Sequence, residues 1–223
     1  MPIFLAISFM SVLMAALTWV CCDAVAATPD FRIEERSVLP MPSTAATRGQ
    51  HTLTLTLANI SGWNEAEIRA ATTTATGILA QCGVRITETE LLRIHVPESH
   101  REFHTSRARE LAQALSLRKP TVYFAAGTRQ RPAFDAEAIG RGNSRTRPEL
   151  ADTVWIARGA RDLGLVMAHE LVHVLMDSGE HDNTPGNLMA EDTTPDNTRL
   201  RAAQCARIID TGTRNGLLQA GVD

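Results

Sequence analysis

One stretch constrains this chain more than any other. From Leu163 to Met176 almost every side chain is apolar, yet the run carries His169, Glu170 and His173. The pattern predicts a helix over 162–176 with Leu163, Leu165, Val166, Met167, Leu171, Val172, Val174, Leu175 and Met176 spread around nearly all its faces. A helix that is apolar all round belongs in the middle of a protein, covered on every side. Titratable groups in such a place are disfavoured unless they have partners. Where local pattern and polar content conflict in this way, a functional site is expected.

The polar residues spell His169-Glu170-Leu171-Val172-His173, an HExxH pattern. Histidines four apart on a helix share one face, so two imidazole nitrogens can meet a single tetrahedral zinc ion at about 2.0–2.1 Å. Glu170 neighbours a ligand and can reach a water on the metal without binding the metal itself. Zinc lowers the pKa of such a water toward ~7 and polarises a carbonyl, while a carboxylate beside it takes the proton and returns it to a leaving amine. A hydrolytic zinc site takes three protein ligands and keeps one position open. Downstream, Gly179 can end the helix in a left-handed turn and send the chain back toward the metal. His181 follows and is the expected third ligand, with Glu191, Asp177 and Asp182 as rivals.

The rest of the chain supplies the surroundings. Between His51 and Leu57, leucines at 53, 55 and 57 alternate with threonines at 52, 54 and 56, which predicts a strand with one buried face. A helix is expected over 64–81, ended by Cys82-Gly83, then a second alternating stretch holding Leu92, Ile94 and Val96, and a helix over 106–117. The runs at 121–125 and 153–157 are nearly continuous apolar and β-prone, as suits inner strands covered on both faces. Between them the chain is rich in Gly, Pro and Arg, which predicts a loop with one edge strand near 136–139. A last helix is expected over 194–210.

The 223 residues suit one domain better than two. Residues 51–223 are expected to form it, behind a linker or arm over 27–50 that has three prolines and no sustained periodicity. Residues 1–26 resemble a secretory leader. No charged side chain occurs from Pro2 to Val20, and Ala24 and Ala26 make an A-x-A cleavage site, though the usual positive start is missing. A cleaved signal is expected over a retained anchor, with export to the periplasm or the exterior and no stable membrane partner afterwards. Cleavage removes Cys21 and Cys22 and leaves Cys82 and Cys205, for which a disulfide is expected over two buried thiols. With 21% charged residues and a formal net charge of -3, nothing electrostatic points to a nucleic-acid partner. The arginines from Arg129 to Arg147 have only Phe134 as an aromatic companion and suit a solvated loop. No GxSxG or phosphate-binding loop is present.

The segment from His169 to Met189 resembles the metzincin clan of zincin metallopeptidases. Those enzymes share an HExxH helix, a glycine that breaks it, a third His or Asp just beyond, and a methionine turn beneath the metal. The corresponding residues are His169, Glu170 and His173, then Gly179, His181 and the turn Asn187-Leu188-Met189. The third histidine comes eight residues after His173 rather than the familiar six, so the helix is expected to run about half a turn further. The resemblance implies an α+β zincin-like fold: a mixed, mostly parallel sheet, a long backing helix, a central HExxH helix and a small C-terminal subdomain with a helix. It also implies one Zn²⁺ per chain, a peptide or protein substrate and Glu170 as general base. Two alternatives stay open: a gluzincin-like peptidase with Glu191 as third ligand, and a non-catalytic binding protein on the same scaffold.

Overall fold

A computed structural model of the chain describes residues 29–40, 51–128, 138–141, 148–192 and 194–221. The expected leader over 1–26, part of the arm and most of the arginine-rich loop lie outside the described residues. In chain order the elements are β1 (Arg32–Val38), β2 (His51–Asn59), α1 (Glu65–Leu79), β3 (Val84–His95), β4 (Glu102–Phe103), α2 (Thr105–Leu115) and β5 (Thr121–Ala125). There follow β6 (Gly127–Thr128), β7 (Ala138–Arg141), β8 (Thr153–Ala157), α3 (Leu163–Met176), α4 (Ala202–Arg214) and β9 (Leu218–Ala220).

The apolar runs become the middle of a seven-stranded sheet ordered β1-β3-β2-β5-β8-β7, with β9 added beside the start of β2. The four inner strands β3, β2, β5 and β8 are parallel to one another. Both outer strands, β1 and β7, run antiparallel to their neighbours. Every residue of β5 and β8 is buried, because helices cover both faces of the sheet there. On one face Leu53, Leu55, Leu57, Val122, Phe124, Val154 and Ile156 share a core with residues of α1 and α3. On the other, Tyr123 and Trp155 stack at 4.0 Å and join Ala108, Leu111 and Ala112 of α2. Thr56 is 1% exposed, so β2 is covered on both faces toward its end rather than on the single face its alternation suggests.

The first helix starts on Asn64, whose side-chain oxygen accepts the Ala66 N–H at 2.8 Å. It ends through a short 3-10 turn on left-handed Gly83, as the Cys82-Gly83 pair predicts. The central helix α3 is buried at every residue except Leu163 and Glu170. Its approach to α1 is so close that a Cβ on Gly164 would stand 2.5 Å from the Cβ of Thr74. The architecture is thus mixed α and β, a mostly parallel sheet with four α-helices among the described residues.

Three further expectations need correction. Part of the arm over 27–50 is a strand: β1 pairs along β3, where Arg36 bonds Glu90 at 2.8 Å and Arg93 bonds Glu35 at 2.6 Å. Its ion pairs lie across strands far apart in sequence, so no local periodicity announces it. The last helix begins at Ala202, not near 194. Before it, Arg199 accepts the Leu188 N–H at 2.8 Å and donates to Gly186 at 3.0 Å, which commits that backbone to a neighbouring turn. Helix α4 starts where the Gln204 side chain accepts the Arg201 N–H at 2.7 Å, half of a capping box.

The third correction concerns the end of α3. It stops at Met176, as its apolar pattern predicts and without the extra half turn, but the left-handed residue is Asp177 (φ 46), not Gly179. Asp177 donates to Val174 and Ser178 donates to His173, both at 3.1 Å, which is the paired closure of a Schellman motif. Aspartate tolerates the left-handed region better than most residues, which is how the helix ends without a glycine.

Cys82 and Cys205 form a disulfide across 123 residues, tying the end of α1 to α4. Such bonds persist in oxidising surroundings. Among the described residues, no helix is long and apolar enough to cross a membrane.

Candidate metal centre

Three histidines converge where α3 ends and the chain turns back. His169 and His173 lie one helical turn apart on α3, and His181 comes from the loop beyond. His173 Nε2 stands 2.9 Å from His169 Nε2 and 3.3 Å from His181 Nε2. The potential ligand atoms of all three lie within 4.8 Å of one another. Ligands on a tetrahedral ion with bonds of ~2.0–2.1 Å sit roughly 3.3 Å apart, so the spacing fits one small cation.

The opposite ring nitrogens say more. His169 Nδ1 donates to the Leu188 carbonyl at 2.8 Å, and His173 Nδ1 donates to the Ser178 carbonyl at 2.6 Å. A carbonyl only accepts, so each Nδ1 carries the proton and each Nε2 presents a lone pair. Two lone pairs facing each other at 2.9 Å repel unless a cation lies between them. Backbone carbonyls fixing the far nitrogen are also the usual support of metal-bound histidine. The donor set therefore fits a metal ion on chemical grounds as well as by distance.

Burial reinforces this. His169 and His173 are 5% and 7% exposed, whereas His181 is exposed, so the cluster is walled by the core on one side and open to solvent on the other. Burial lowers the pKa of the His169 imidazole. It brings His173 down to about 4, with the charge of His169 as the next cause. Both rings are neutral at neutral pH, as metal ligation requires. Glu170 adjoins His169 on α3 and is half-buried.

No family model matches the sequence, and no curated protein matches it.

The rival ligands lie elsewhere. Glu191 is exposed in a bend rather than on a helix, and its N–H donates to Asn183 Oδ1 at 2.9 Å. The Asp182 carboxylate is engaged by Arg201 and accepts from Thr184 Oγ1 at 2.7 Å. Asp177 closes the helix. Met189 is fully buried in the main core, and its N–H donates to Asn187 Oδ1 at 2.8 Å. The turn from Asn187 to Met189 thus runs against His169, through the Leu188 carbonyl.

Sequence reasoning missed the groups that aim the rings. The Ser178 and Leu188 carbonyls leave no signature in side-chain chemistry. Asn187 appeared only as part of the turn, and Gln204 carried no signal, lying on a helix expected to be merely amphipathic.

Proposed function

We propose that the chain is an exported, zinc-dependent peptidase of the zincin type, closest in pattern to the metzincins, with one zinc held by His169, His173 and His181. The observation that carries this reading is the meeting of three imidazole rings, two of them with Nε2 lone pairs fixed inward, beside a helical residue, Glu170. The order of elements supports it: a parallel sheet, a backing helix α1, a buried HExxH helix, and then a methionine turn ahead of α4. The disulfide supports an oxidising compartment.

Bound zinc supplies Lewis acidity, lowering the pKa of a water and polarising a carbonyl. The protein's own residues do the rest. The Leu188 and Ser178 carbonyls hold two ligand rings in the tautomer that leaves Nε2 free. The Glu170 carboxylate takes a proton from water as it attacks a peptide carbonyl, then gives it to the departing amine nitrogen. The exposed side of the cluster, at His181, is where an extended peptide enters.

The test pairs metal content with turnover. Glu170→Gln retains zinc and fold but lowers cleavage of a mixed peptide library by at least ~10²–10⁴-fold, read by mass spectrometry with and without chelator. His181→Ala loses tight zinc binding and Glu191→Ala keeps it. Equal cleavage by wild type and Glu170→Gln refutes the assigned base. A zinc-loaded wild type with no chelator-sensitive cleavage favours a binding protein instead.

A further inference from the structure

Two of the three clustered histidines have their rings locked by backbone carbonyls, and the third does not. Among the described residues, no carbonyl or carboxylate meets the Nδ1 of His181, and the side chain is exposed. Apart from its contacts with the other two rings, its position rests on its main chain. The next residue, Asp182, is where that main chain is fastened: its N–H donates to the Met189 carbonyl at 2.7 Å, and its carboxylate pairs with Arg201.

We propose that Gln204, on α4, is a positioning residue of the metal centre, clamping the loop of His181 and the turn that supports His169 to one another. The inference rests on the metal-binding reading above. One side chain makes four bonds. Its Nε2 donates to Asp182 Oδ2 at 3.3 Å and to Asn187 Oδ1 at 3.1 Å. Its Oε1 accepts from Asn187 Nδ2 at 3.0 Å and from the Arg201 N–H at 2.7 Å.

The Gln204–Asn187 contact is a doubly bonded amide pair, each side chain giving one N–H and taking one. Asn187 is 3% exposed, so breaking the pair strands a buried amide. Its Oδ1 also holds the Met189 N–H at 2.8 Å, which fixes the turn on either side of Leu188. The Leu188 carbonyl is the acceptor for His169 Nδ1. Gln204 thus reaches one ligand through Asp182 and another through Asn187 and Leu188. No apolar side chain could do both, and glutamate in its place would turn a donor into a charge facing the Asp182 carboxylate.

The experiment measures zinc affinity of the disulfide-intact protein by competition with a chromophoric chelator, and coordination by the visible spectrum of the cobalt(II) form. Stability of each metal-free variant is measured alongside. Gln204→Glu and Gln204→Met are expected to weaken zinc by ~10–100-fold, the range seen for groups that orient metal ligands. The cobalt(II) bands of Gln204→Glu are expected to lose the intensity of a four-coordinate site. Combining Gln204→Glu with Asp182→Asn restores a donor facing an acceptor at that contact, though not at Asn187 Oδ1, and is expected to recover part of the affinity. Affinities within twofold of wild type in both single variants overturn the proposal. So does a loss that merely follows lost stability, or one that Asp182→Asn does not relieve. If wild type itself binds no zinc, the metal-binding reading fails and takes this inference with it, an outcome distinct from normal zinc binding in the variants.

Discussion

The strands β5 and β8 and the segment from Asp177 to Arg201 both lie near α3, and they are ordered by opposite means. Every residue of the two strands is buried, with backbone groups paired in the sheet. In the segment, full burial is confined to Asn187–Ala190, and the chain is shaped by side chains that bond backbone: Asp182 to Thr184, Asn183 to Glu191, Asn187 to Met189. Burying a large aliphatic side chain contributes ~1.5–3 kcal/mol, whereas a single hydrogen bond nets ~0.5–1.5 kcal/mol. The sheet therefore carries stability, while the segment carries geometry on a few modest contacts. The metal centre spans the boundary, taking two ligands from the stable side and one from the other.

Damage to the first region should lower stability without touching the metal. Leu55 is 0% exposed, and Leu55→Ala is expected to lower unfolding free energy by ~2–5 kcal/mol in urea titrations. Zinc affinity of the folded fraction should be unchanged. Weaker zinc in that variant would mean the two regions are mechanically one.

The disulfide ties the end of α1, which packs on the sheet beside α3, to α4, just beyond the polar segment, so its removal should show both effects. Cys82→Ser with Cys205→Ser is expected to lower stability by ~2–4 kcal/mol. Zinc affinity should fall as well, because Cys205 adjoins Gln204, and Gln81, next to Cys82, donates to the Thr198 carbonyl at 2.7 Å. Lost stability with intact zinc affinity would make the disulfide a staple and nothing more.

The same division governs what the sequence revealed. The strands at 121–125 and 153–157 and the buried α3 were legible because burial on every side leaves nearly continuous apolar runs, short for strands and long for a helix. The histidine pair was legible because helix geometry alone brings i and i+4 together. His181 was expected because a turn after the helix sends the chain back toward the metal, and it does join the cluster. The polar segment was read less well: helix α4 starts later than expected and the left-handed residue is Asp177. Its order depends on backbone carbonyls and on partners such as Gln204, which stands 22 residues beyond Asp182. Strand β1 escaped for the same reason, its ion pairs to β3 being non-local.

Acidity should act on the metal centre in a definite direction. The His173 pKa is held at about 4 against an ordinary 6.5, so between those values the unfolded chain binds a proton that the folded chain refuses. Stability from this source is complete above pH 6.5 and declines as pH falls toward 4. Urea unfolding of chelator-treated protein should show that slope, and His173→Gln should reduce it, leaving the part that buried His169 contributes in the same direction. An unchanged slope in the variant would place the titrating group elsewhere.

The smallest expected effect separates the glycine breaker of the family pattern from the turn found here. Gly179 has ordinary backbone geometry, and a Cβ there meets nothing within 4 Å. Gly179→Ala should therefore be neutral or stabilise by up to ~1 kcal/mol, since it restricts the unfolded chain without straining the folded one. Asp177 sits at φ 46, where a β-branched residue is strained, so Asp177→Val should destabilise by ~1–2 kcal/mol. It should also weaken zinc, because the turn at Asp177 delivers the Ser178 carbonyl to His173. Thermal unfolding and zinc competition on the two variants decide the matter. If Gly179→Ala is instead the damaging change, the helix ends at the glycine after all, and the Schellman closure on Asp177 is wrong.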